Sequence, residues 1–127
     1  METPAQWQPY IDAWRERWRR RDAQVEQRRL LARQAACGCA AYLAEHWGVS
    51  RVYLLGSLAG WGRVHAHSDI DLAAEGLPPG AEYFRVLAEL WELLPSGDEL
   101  DLVPLEEALP GLRDRILREG EVLYDRQ

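Results

Sequence analysis

Apolar residues near the start of the chain recur at helical spacing. Trp7, Ile11, Trp14 and Trp18 lie three or four apart and share one stripe. Thr3-Pro4 reads as a helix start, with Thr3 capping and Pro4 in the first helical position. Only Gly38 interrupts the pattern before Gly48, so one long helix is expected, or two with a bend near Gly38. A second buried stretch runs through Leu31, Ala35, Tyr42 and Leu43. Arg51-Val52-Tyr53-Leu54-Leu55 is short, apolar and β-branched, as a buried strand is. Residues 69–75 read as a second strand and 76–80 as a loop of glycine and proline. Residues 81–94 form an amphipathic helix, with Phe84, Leu87, Leu90, Trp91 and Leu94 inside and Glu82, Arg85, Glu89 and Glu92 outside. Residues 99–103 alternate polar and apolar, the mark of a half-buried strand. A helical turn at 105–109, ended by Pro110, a short helix at 112–118 and a last strand at 121–124 complete the order. There are no internal repeats.

Composition narrows the picture. A chain of 127 residues is one domain's worth, with an N-terminal helical segment at 1–48 and a core at 50–124. Its 47% hydrophobic content suffices for a core, and its 28% charged content suits a soluble protein. All 15 basic residues are arginine, which excludes lysine chemistry. The net charge of −6 argues against general nucleic-acid binding. No apolar run reaches membrane-spanning length and no signal peptide opens the chain, so a cytoplasmic location is expected. Residues 1–33 carry eight arginines against five acids, a net of +3, which leaves −9 for the rest. Cys37 and Cys39, two apart on a helix, point to different faces and are read as small, mostly buried residues rather than a disulfide or a zinc site.

The chemistry concentrates between residues 56 and 71. Gly56 permits a sharp turn after the first strand, and Ser57 is placed to cap a short helix whose free N–H groups favour a phosphate. Asp69 and Asp71 alternate with Ile70 on a strand and so project the same way. Two ionised carboxylates side by side repel unless a cation sits between them, and Mg²⁺ is commonly held by one or two carboxylates together with substrate phosphates. The Leu100-Asp101-Leu102-Val103 strand offers a third carboxylate. His65 and His67 precede the pair and are read as loop residues or substrate contacts rather than metal ligands.

Gly56-Ser57 followed by Asp69-x-Asp71 resembles the signature of the DNA polymerase β-like nucleotidyltransferase superfamily, and the small size resembles its minimal (MNT) branch, whose genes commonly lie beside one for a HEPN-domain protein. Eleven residues separate Ser57 from Asp69 where ten are usual, and Gly60-Trp61-Gly62 stands where one glycine is usual. The resemblance spans residues 51–124. It implies an α+β fold with a small mixed sheet flanked by helices, here preceded by a long N-terminal helical segment. By resemblance, Asp101 matches the third acidic residue. Asp69, Asp71 and Asp101 are then catalytic and hold Mg²⁺, two ions being expected, while Gly56 and Ser57 hold the outer phosphates. Ser68 is read as a further nucleotide contact, and Arg63 either adds positive charge at the phosphates or is a solvated side chain.

The reaction implied is transfer of AMP from ATP to a hydroxyl. By resemblance the acceptor is a tyrosine of a HEPN toxin, and the protein is an antitoxin. Two alternatives stand beside it: a non-catalytic subunit that neutralises a HEPN partner by binding, and a small-molecule nucleotidyltransferase of the aminoglycoside-modifying kind. The tryptophan stripe either packs on the domain's own sheet or meets another chain, a HEPN partner or a second copy in a homo-oligomer.

Overall fold

The structure is a computed structural model, and it describes residues 4–61, 70–95 and 97–126. A short 3-10 turn, Ala5–Trp7, leads into one unbroken helix, α1, Gln8–Trp47. Pro9 stands in its first turn, where a missing N–H costs nothing, and Gly48 ends it in the left-handed conformation at φ 66°. Gly38 causes no break, because it is exposed and helical. The strands are β1 (Arg51–Leu55), β2 (Ile70–Glu75), β3 (Leu100–Pro104) and β4 (Glu121–Asp125). Two further helices, α2 (Ala81–Trp91) and α3 (Pro110–Glu119), and 3-10 turns at Gly56–Ala59 and Leu105–Glu107 join them.

The four strands form one mixed sheet in the order β3-β2-β1-β4. β1 pairs antiparallel with both β2 and β4, and β2 pairs parallel with β3 through the α2 crossover. One face packs against α1 and α2. There Ala32, Ala36, Cys39, Ala40 and Leu43 of α1 and Val86 and Leu90 of α2 meet Val52, Leu54, Ile70, Leu72, Leu100 and Leu102. The run of alanines lets α1 lie close to the sheet, and Leu43, wholly buried, contributes about 1.5–3 kcal/mol as a buried leucine does. The other face carries Tyr53, Leu55 and Ala73 under Leu105 and Ile116.

Several sequence expectations are corrected. The buried face of α2 is Val86 and Leu90, with Tyr83 and Leu87 half-buried, while Phe84 and Trp91 are exposed. Glu89, expected outside, turns toward α1, where it accepts hydrogen bonds from the Tyr42 hydroxyl at 3.0 Å and the Trp47 indole at 2.8 Å. Pro110 does not end a helix but starts α3 in its first turn. Leu31 is exposed, and of the two cysteines only Cys39 is buried.

The first half of α1 leaves the body. Arg33 donates to the Leu58 carbonyl at 3.0 Å and to both Glu121 oxygens at 2.8 and 2.6 Å, and Arg28 reaches Asp98 at 3.9 Å. These ties lie at the end of the sheet where β1 finishes and β2, β3 and β4 begin. Upstream of them Trp7, Trp14 and Trp18 are exposed, which sets aside packing on the domain's own sheet. Among the described residues no helix is long and apolar enough to cross a membrane.

Candidate active site

β1 runs into the site. Its last residue, Leu55, is buried, and Gly56 turns the chain at a φ of 70° that other residues resist. Gly56–Ala59 then forms a single 3-10 turn, closed when Gly60 donates to Ser57 O at 3.1 Å and Trp61 to Gly56 O at 3.0 Å. The first amides of such a turn have no acceptor within it, which leaves them for an anion. Ser57 was expected as the cap of this turn. It lies inside it instead; Leu55 holds the capping position and makes no side-chain cap bond.

Across the sheet, Leu55 pairs with Asp71 and Asp71 pairs with Asp101. In-register residues of neighbouring strands share a face, so the two carboxylate-bearing residues stand side by side on strands about 4.8 Å apart. The flanking Ile70, Leu72, Leu100 and Leu102 point into the opposite, α1-facing core and fix that register, because a slip by one residue would bury the carboxylates. Gly56 packs directly against this row: a Cβ at residue 56 would collide with Oδ2 of Asp71. Turn and carboxylate are thus fitted to each other. Asp69, Arg63 and Ser68, and with them His65 and His67, lie outside the described residues. Among the described residues no three of His, Cys, Asp and Glu gather into a metal-holding group, so the described acidic set is the pair Asp71 and Asp101.

A cleft of about 440 Å³ opens over this row, lined among others by Gly56, Trp61, Asp71, Tyr83 and Asp101. Two of these residues were not assigned from sequence. Trp61 donates its indole N–H to the Glu119 carbonyl at 3.1 Å, and the Arg115 guanidinium sits 4.1 Å from its ring centroid. Arg115 is held in turn by Glu119 at 2.8 Å. Tyr83 donates to the Leu102 carbonyl at 2.5 Å, which stands α2 against the edge strand β3. Burial pushes the Tyr83 phenol pKa up, and the negative charges of Asp101 and Glu107 push it the same way. The tyrosine therefore stays protonated beside the acidic pair. The only sequence signal for Trp61 is its place between two glycines in the turn region; for Tyr83 there is none beyond an aromatic residue on an amphipathic helix.

The arrangement offers hard oxygen donors on one side and a tight backbone turn on the other. That donor set suits Mg²⁺ rather than a softer metal. The family model described as Polymerase beta, Nucleotidyltransferase matches residues 38–127. No curated protein matches the chain. Among solved structures, one described as a minimal nucleotidyltransferase is 30% identical with a TM-score of 0.53, the match covering 68% of this chain and 88% of that one. A toxin–antitoxin structure with AMP-PNP is 26% identical at a TM-score of 0.51, over 62% of this chain and 63% of that one. The MntA-HepT toxin–antitoxin structure is 19% identical at a TM-score of 0.54, over 73% and 72%. That last likeness is one of fold.

Proposed function

Because the chain belongs to the polymerase beta nucleotidyltransferase family, we propose that it transfers a nucleoside monophosphate from ATP to a hydroxyl on a protein partner and releases pyrophosphate. The observation that carries this reading is the row formed by Gly56, Asp71 and Asp101: a tight backbone turn packed on one carboxylate, with a second carboxylate in register beside it. A structural role does not call for that row, since adjacent like charges repel.

Each residue has a role in this reading. The turn at Gly56 and Ser57 receives the outer phosphates on its amides. Asp71 and Asp101, joined by Asp69, hold Mg²⁺, which when bound neutralises the triphosphate and polarises its phosphoryl oxygens. Arg63 and Ser68 complete the nucleotide contacts. Asp101 is exposed on the edge strand, where an acceptor can approach. Its carboxylate takes the proton from the acceptor hydroxyl as that oxygen bonds to the α-phosphorus and the bond to pyrophosphate breaks. Trp61 and Tyr83 line the cleft on either side of the row.

The acceptor in this reading is a tyrosine of a HEPN-type toxin, and the chain is its antitoxin. Support comes from the resemblance of the Gly56-Ser57 and Asp69-x-Asp71 motifs and from the likeness to a toxin–antitoxin structure with AMP-PNP. Incubating the protein with labelled ATP, Mg²⁺ and the product of the neighbouring gene tests the reading. The expected result is label on a partner tyrosine, lost with Asp71→Asn. A partner that is neutralised without label would replace catalysis by neutralisation through binding.

A further inference from the structure

The family match begins at residue 38, yet α1 begins at Gln8. The extra length is an arm: Trp7, Trp14 and Trp18 are 55%, 55% and 48% exposed, while downstream Ala32, Ala36 and Leu43 are buried on the sheet. These two sets share one azimuth. Trp14 and Ala32, Trp18 and Ala36, and Val25 and Leu43 each lie eighteen residues apart, which is about five turns at 3.6 residues per turn. The arm therefore carries past the body the face that the body buries. A face of this kind calls for a partner, and its residue order says which one.

We infer that two copies of this chain pair through these arms, antiparallel, about a twofold axis level with Glu16. Trp7, Ile11, Trp14, Trp18, Arg21 and Val25 alternate spacings of four and three residues, the seam of a two-helix coil. The order is symmetric about residue 16. Trp14 of one copy meets Trp18 of the other, Ile11 meets Arg21, and Trp7, the largest residue, meets the smaller Val25. Length agrees as well. In this register Pro4 lies level with Arg28 of the second copy, the residue at which the tie to Asp98 marks the start of the body. The pairing thus runs along the described arm from Ala5 to the edge of the body. Six half-exposed tryptophans, each with roughly half of the 150–250 Å² that an aromatic residue buries, give on the order of 600 Å². Tyr10, Ile11 and Val25 of both copies bring the total toward the ~1,200 Å² of a specific interface.

The arginines oppose the pairing. Residues 14–21 hold five arginines and one acid, Glu16, which is already engaged by Arg19 and Arg20 at 3.8 and 3.3 Å. Arg15 and Arg17 lie nearest the axis in both copies. Charge alone would suit an acidic protein, whereas the mirrored order of large and small residues suits the arm itself. The two occupants respond oppositely to salt, which screens attraction to an acidic protein but screens the repulsion of like charges between two arms.

Sedimentation equilibrium of the full chain tests the inference. The expected result is a species of twice 14.6 kDa that tightens as NaCl is raised. Trp14→Ser with Trp18→Ser should raise the dissociation constant by at least about 100-fold, as loss of central aromatic anchors does. Because both positions are half-exposed in the single copy, thermal melting of the body should be unchanged. Arg21→Leu, which makes the two symmetry-related charged layers apolar, should tighten the pair by about 10-fold or more. A chain that stays monomeric at about 100 μM, or a dimer unaffected by the paired tryptophan changes, would overturn the inference. So would a dimer that salt dissociates, or a monomer whose arm binds an acidic protein or RNA.

Discussion

The carboxylate of Asp71 fills the space in which residue 56 would carry a Cβ, and residue 56 is a glycine at φ 70°. Backbone and side chain exclude any other residue there, each for its own reason. Gly56→Ala should destabilise the fold by about 1–3 kcal/mol through the disfavoured conformation. It should also weaken ATP binding at temperatures where the protein remains folded. Paired melting and binding measurements check both effects; an alanine variant with unchanged ATP affinity would separate the turn from the nucleotide.

Asp101 is paired in register with Asp71 yet exposed. A residue in that setting contributes little to folding, so Asp101→Asn should leave stability within about 0.5 kcal/mol. Transfer should fall by about 10²–10⁴-fold, the range of a positioned general base. Unchanged turnover in Asp101→Asn would remove this residue from the chemistry.

Arg33 ties α1 to both the Leu58 carbonyl in the turn after β1 and Glu121 at the start of β4. The pair is partly exposed, so solvent screening reduces its worth. Arg33→Ala should cost about 1–2 kcal/mol in denaturant unfolding. Because the same guanidinium steadies the turn that begins at Gly56, ATP affinity should fall with it. Glu121→Gln keeps the Leu58 contact and should affect stability but not affinity.

Burial pushes the Cys39 thiol up to about 11 from 9.0. The protonated thiol is the form favoured by folding. Its contribution, on the order of 2–3 kcal/mol, is complete below pH 9 and is lost as pH rises toward 11. Exposed Cys37 should therefore take up iodoacetamide at pH 8 while Cys39 does not. Mass spectrometry of peptides from the labelled native protein reads this directly; equal labelling of both would contradict the burial.

The site was legible in the sequence where a local pattern encodes a direction. Alternation through Leu100, Asp101 and Leu102 set Asp101 on the face away from the core, and the strand order brought it beside Asp71. The turn at Gly56 followed from its place after an apolar strand, although Ser57 lies within that turn rather than capping it. Trp61 and Tyr83 were not legible, because their roles come from partners distant in the chain, the Glu119 and Leu102 carbonyls. The same holds for α2. Hydrophobicity favoured Phe84 and Trp91 on its inner face, but Tyr83 bonding to β3 and Glu89 bonding to Tyr42 and Trp47 turn the helix so that Tyr83 and Val86 take their place beside Leu87 and Leu90. The pattern could not decide whether the tryptophan stripe was core or interface, since both bury the same face. Only the length of α1 beyond the body separates them.

The Gly56 turn and the acidic row together should bind a triphosphate through a divalent ion. Titration calorimetry of ATP into the protein, with Mg²⁺ and then with chelator, tests it most directly. Bare triphosphate is repelled by Asp71 and Asp101, so affinity should drop by at least about 10-fold, or 1.4 kcal/mol, when Mg²⁺ is removed. The drop should shrink in Asp71→Asn with Asp101→Asn, where Asp69 alone is left to hold the ion and to repel bare triphosphate. Equal affinity of the unmodified protein for ATP in both buffers would mean that no divalent ion joins the triphosphate to this row.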